Sequence, residues 1–165
     1  MVRRIAAIDN PHQVSERQME RWAKAFDNWA VCDACCCNLF DKTGLAYPKA
    51  IEWTSRSEEF VKRAGFTLMA ALAVHDRQAP DAAFLAFLPL VEREAVDERN
   101  FVRKAVNWAL RQIGKRNVNL HRAALRSVAA IRSIDSPSAR WIAADALREL
   151  ASPAVEKRLK RGQTC

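Results

Sequence analysis

Trp29 and Asp33 stand four residues apart in a stretch that reads as helix, which sets an indole plane and a carboxylate one above the other on a single face. Spacing alone leaves two readings open: a site, or an indole packed inside a helical hairpin beside a solvated or paired acid. Lys104, Trp108, Arg111 and Lys115 step by four, three and four, so a Trp falls in the middle of a basic stripe. Such a stripe suits nucleic acid, because cations hold phosphates while a ring takes a sugar or base face. The alternative is a core-edge Trp with Lys and Arg stems lying along apolar surface. Arg63, on the side of its helix away from Val61, Ala64 and Leu68, reads by itself as a free surface cation.

Other reactive residues lead less far. Cys32, Cys35 and Cys36 share a helical face with metal-ligand spacing, but His12, His75 and His121 each stand alone and no second Cys pair completes a tetrahedral set. Packing of small apolar thiols is the reading adopted, and no metal or other cofactor is expected. Gly44, Gly65, Gly114 and Gly162 are too scattered to cradle phosphates, which argues against nucleotide hydrolysis.

The elements that must position these residues are helices. Start signals recur at Ser15, Ser57, Asp97 and Ser136, separated by 42, 40 and 39 residues. Second starts fall between them, at Asp27 or Asn28, Asp81, Asn117 or Asn119, and Ser152. Each period therefore holds two helices, the period of HEAT-type hairpins. Apolar steps of three or four, as in Val61, Ala64, Leu68 and Leu72 or Val102, Ala105, Ala109 and Ile113, support an all-α solenoid with a concave binding side. A short extra helix is expected around Tyr47 to Thr54. Arg3 to Asp9 reads as the last turn of an earlier helix, so residues 1–165 are expected to form one repeat domain, the carboxyl-terminal part of a longer one.

Composition narrows the partner. Half of the 165 residues are hydrophobic, enough for a real core, and no run approaches the roughly 18 apolar residues of a membrane span. The first residues lack a signal-peptide apolar region, and four crowded cysteines suit a reducing compartment, so a cytoplasmic protein is expected. Residues 1–97 carry 12 Lys and Arg against 14 Asp and Glu; residues 98–165 carry 15 against 5. Concentrating the surplus in one part is what a polyanion-binding face requires.

Three segments taken together, Trp29–Asp33, Phe60–Ala64 and Phe101–Arg111, resemble the bacterial HEAT-repeat DNA alkylation repair glycosylases of the AlkD type, over about Pro11 to Leu159. The resemblance implies a glycosylase that removes purines alkylated at N3 or N7 from duplex DNA, acting as a monomer. It places Asp33, Trp29, Trp108 and Arg63 in the active site; the basic stripe puts Lys104, Arg111 and Lys115, with neighbouring Arg103, on DNA. Asp33 would stabilise charge developing on the deoxyribose and orient water, the two Trp would lie against the cationic sugar and lesion, and Arg63 would hold a phosphate. The family also implies action on a lesion that stays stacked, and further helices before the point matching Arg3. Competing expectations are a non-catalytic scaffold for DNA or an acidic protein, and a redox or metal sensor built on Cys32 to Cys37.

Overall fold

The computed structural model describes residues 10–161, which are helical apart from short turns; no strand occurs among them. The expected turn at Arg3–Asp9 lies outside the described residues. In chain order the helices are α1 (Glu16–Lys24), α2 (Trp29–Asn38), α3 (Ala46–Trp53), α4 (Glu59–His75), α5 (Asp81–Leu85), α6 (Leu88–Glu94), α7 (Asn100–Gly114), α8 (Val118–Arg132), α9 (Pro137–Leu150) and α10 (Pro153–Arg161). No described helix is long and apolar enough to cross a membrane.

Caps explain several boundaries. The side chains of Ser15, Asn28, Asn117 and Ser136 accept the backbone N–H three residues on, satisfying an orphan donor in the first turn of α1, α2, α8 and α9. Ser57 and Asp97 behave otherwise. The hydroxyl of Ser57 donates to Glu58, and α4 starts after Glu58 without a side-chain cap. The carboxylate of Asp97 is held by the backbone and guanidinium of Arg99, which delays α7 to Asn100. One expected helix is divided into α5 and α6, and Pro89, lacking an N–H, falls in the first turn of the second piece. The extra helix foreseen near Tyr47 is α3.

Two layers result. In one, α2, α4, α7 and α9 lie side by side in sequence, α4 against both α2 and α7; α3, α6 and α8 back them, with α1 also reaching α4. Neighbours in the first layer run in the same direction. Between α2 and α4, the thiols of Cys32 and Cys36 donate to the carbonyls of Phe60 and Ala64, 28 residues on in each case. Between α7 and α9, the Arg103 guanidinium lies 4.9 Å from the Trp141 ring centroid, the Asn107 amide donates to Asp145 (2.6 Å), and Arg111 pairs with Glu149, all at an interval of 38.

The predicted apolar stripes of α4 and α7 are fully inside, with Val61, Ala64, Leu68, Leu72, Val102, Ala105, Ala109 and Ile113 at most 1% exposed. Where α1 to α3 meet, Phe40 touches the rings of Trp22, Phe26 and Trp53. Burying one such ring contributes about 1.5–3 kcal/mol. Trp53 also brings a polar tip inside, and its Nε1–H donates to Glu20 (2.7 Å), which in turn receives Lys49 and Arg56.

Candidate active-site cleft

Asn28 decides where the site begins. By capping α2 it makes Trp29 the first helical residue, and the indole is 52% exposed at the mouth of a cleft. One turn later Asp33 stands on the same face with only 18% of its side chain exposed. Arg63, on α4, meets it as a two-pronged ion pair: Nε donates to Oδ1 (2.9 Å) and Nη2 to Oδ2 (2.7 Å). The remaining terminal nitrogen, Nη1, donates to the carbonyl of Phe101 at the start of α7 (2.7 Å). Thr67, one turn beyond Arg63 and fully buried, donates its hydroxyl to Asp33 Oδ1 (3.2 Å).

Around this pair lies an open cavity of about 270 Å³ lined by Trp29, Asp33, Arg63, Phe101 and Lys104. Phe101 is set by a ring contact with Phe60, 5.4 Å between centroids. Lys104 is exposed on α7 and makes no ion pair with a described residue. The lining thus combines a carboxylate held by Arg63 and Thr67, an exposed indole, a partly buried phenyl ring and an exposed ammonium. Such a lining can receive a flat or cationic group against its rings and acid, and an anion at its ammonium.

The predicted site residues fare differently. Trp29, Asp33 and Arg63 are brought together. Arg63 is not the free phosphate-binding cation expected of it: its side chain is 8% exposed, and each of its three nitrogens already donates to Asp33 or Phe101. Trp108 is half-buried on α7 and does not line the cavity; Phe101, two turns earlier, does. Lys104 alone of the basic stripe projects freely, because Arg111 and Lys115 both pair with Glu149 of α9. Arg103 turns to α9 as well, over Trp141. The sequence reading missed Phe101 and Thr67. Phe101 had a signal, since it lies 38 residues after Arg63, the interval that joins α7 to α9.

The family model for DNA alkylation repair enzymes matches residues 4–152. The chain belongs to the DNA alkylation repair enzyme family. No curated protein matches the sequence. One solved structure, described as "a new family of proteins related to the HEAT-like repeat DNA glycosylases with affinity for branched DNA structures", is similar in fold, with a TM-score of 0.67 and 17% identity. That likeness covers 94% of this family member, which spans 66% of the other chain. The fold of this DNA alkylation repair family member is thus all-α and of the HEAT-like repeat kind.

The cysteines of α2 belong to the framework rather than to the cleft. Burial pushes the thiols of Cys35 and Cys37 up to about 12 and that of Cys36 well above its ordinary value. Protonated thiols are poor nucleophiles and poor metal ligands. No group of three potential metal-ligating side chains occurs among the described residues.

Proposed function

We propose that this protein is a monofunctional DNA glycosylase hydrolysing the N-glycosidic bond of purines alkylated at N3 or N7 in duplex DNA. The observation that carries the reading is Asp33, fixed by Arg63 and Thr67 in a cleft that Trp29 and Phe101 also line. An alkylated purine is already cationic and leaves as a neutral base, taking the electron pair of the breaking bond. Positive charge then grows on the deoxyribose, where a preorganised carboxylate and an indole face lower the barrier. Water adds to the anomeric carbon and gives up its proton, with Asp33 placed to orient it or accept that proton. A shallow, open cleft suits contact with sugar and backbone more than a deep pocket for an extruded base, and Lys104 at the rim would meet a phosphate. Lacking an assigned amine nucleophile, the enzyme would release base without nicking the strand.

The test is base release from methylated duplex DNA. Asp33→Asn keeps the side chain's size and should lower the single-turnover rate by at least about 10²–10³-fold while DNA binding persists. Equal rates for wild type and variant would end the mechanism. A second reading, a DNA-binding scaffold without chemistry, is favoured by one feature: both oxygens of Asp33 are already engaged. Binding of methylated DNA with no purine released would select it.

A further inference from the structure

Near the carboxyl ends of α4 and α7 the segments between hairpins gather a second set of cations, none of them in the cleft. Arg77 follows α4, Arg116 occupies the turn between α7 and α8, and Arg158 lies on α10; together they border a recess of about 510 Å³. Arg116 and Arg158 continue into an adjoining recess of about 500 Å³. The two therefore form an elongated trough.

Its cations are unequal in a way that suits an extended anion. Arg116 is fixed, because Nη1 donates to the Ala73 carbonyl (3.1 Å), Nη2 to that of Ala79 (3.0 Å), and the guanidinium lies 4.3 Å from the Phe84 ring centroid. Arg77 and Arg158 are exposed and pair with no carboxylate among the described residues. Asp81 is the acid lining both recesses; each of its oxygens already accepts an amide N–H, from Asn117 and Asn119 (both 2.7 Å). Three guanidinium groups thus face one carboxylate, and guanidinium forks match phosphate oxygens.

Exposure tells a chain of phosphates from a single one. Solvent screens an open site, so one small phosphate gains little there, whereas a polyanion gains from release of its condensed counterions at every contact. Position agrees. Ala73 lies ten residues after Arg63 on α4, so the trough is roughly 15 Å along that helix from the cleft. Backbone phosphates of B-DNA rise about 3.4 Å per strand step, so a strand running from the cleft along α4 would cover that axial distance in four or five steps.

We propose that the trough bordered by Arg77, Arg116 and Arg158 is a second nucleic-acid contact, holding backbone phosphates of the same DNA whose damaged nucleotide lies at the cleft. The proposal rests on the DNA reading above but not on base release. Its test is the salt dependence of duplex binding, by fluorescence anisotropy, for the Arg77→Ala/Arg158→Ala double variant. Arg17→Ala/Arg21→Ala, which removes two exposed cations of α1 that pair with no carboxylate among the described residues, matches its change in charge.

Loss of two phosphate contacts should make the slope of log affinity against log salt shallower by about 1.8, and weaken binding roughly tenfold at moderate salt. The α1 control should stay within about twofold of wild type. An unchanged slope, or an equal loss in the control, overturns the proposal. So does saturable binding of inorganic phosphate that is lost in the Arg77 and Arg158 variant while the duplex slope is unaltered, because that would mark a small-phosphate site. The expected slope change in the double variant, with no base released by wild-type protein, would remove the glycosylase reading and leave this contact standing. Base release with an unaltered slope would do the reverse.

Discussion

Asp33 is held by two partners that differ in kind, and they separate experimentally. Arg63 supplies charge and geometry through two parallel hydrogen bonds; Thr67 supplies one neutral bond to Oδ1 from a fully buried position. Thr67→Val keeps the shape and removes that bond, a change of about 0.5–1.5 kcal/mol. If Asp33 works on the reacting sugar, the variant should show a base-release rate about 2–10-fold lower with unchanged DNA affinity, and Thr67→Ser should recover the rate. A variant that lost affinity and rate together, without recovery by Ser, would make Thr67 a packing residue only. Trp29→Ala should also slow release, because the indole lining the cleft would no longer lie against the developing cationic sugar.

The helices hold these residues through close approaches and caps that can be probed singly. Gly65, between Arg63 and Thr67 on α4, sits where an added Cβ would come within 3.0 Å of the Thr54 nitrogen and 3.1 Å of the Ala50 carbonyl oxygen. These are backbone atoms of α3 and the turn after it, so Gly65→Ala must push α3 away from α4, and we expect a loss of about 1–3 kcal/mol in denaturant unfolding. Ser136→Ala removes the cap of α9 and should cost about 1 kcal/mol without touching base release at saturating DNA. Much at this scale was legible in the sequence. The periodic starts at Ser15 and Ser136 are true caps, Asn28 rather than Asp27 and Asn117 rather than Asn119 cap two of the second helices, and the stripes of α4 and α7 are the core. Ser57 and Asp97 misled by one and two residues because their side chains engage Glu58 and Arg99, and a local pattern does not reveal which neighbour wins. Site residues were legible where they share a helix, as Trp29 and Asp33 do. They were not where the deciding partner comes from another repeat: Glu149 takes Arg111 and Lys115 from 34 to 38 residues away, and Phe101 comes to Arg63 from 38.

Across the whole molecule, charge is less free than the composition suggests. Glu149 illustrates this: burial works against its carboxylate, but hydrogen bonds from Lys115 and Arg111 outweigh it and hold the acid below its ordinary range. Glu20, opposed by burial but held by Trp53 and Lys49, and Asp97, opposed by burial but held by Arg99, are lowered in the same way. Acids lowered by folding contribute stability above their unfolded values, and that stability is lost as pH falls through the folded ones. Burial raises Asp41, which His75 offsets only in part; its contribution has the opposite sign and is lost as pH rises. With the exposed Glu58, lowered chiefly by its hydrogen bond from Arg56, four lowered acids against one raised should make the melting temperature fall on acidification from about pH 7 to about pH 3. Glu149→Gln should flatten part of that fall; a profile as steep as wild type would mean that the Arg111 and Lys115 pairs carry no stability.

The three polar pairs between α7 and α9 also limit how the chain can change length. A residue inserted within either helix would turn everything beyond it by about 100° and misalign the pairs that follow. An insertion in the turns around Arg116 or Asp135 leaves the spacing within both helices as it was. Homologous chains should therefore gain and lose residues at the hairpin connections while the spans from Arg103 to Arg111 and from Trp141 to Glu149 keep their length.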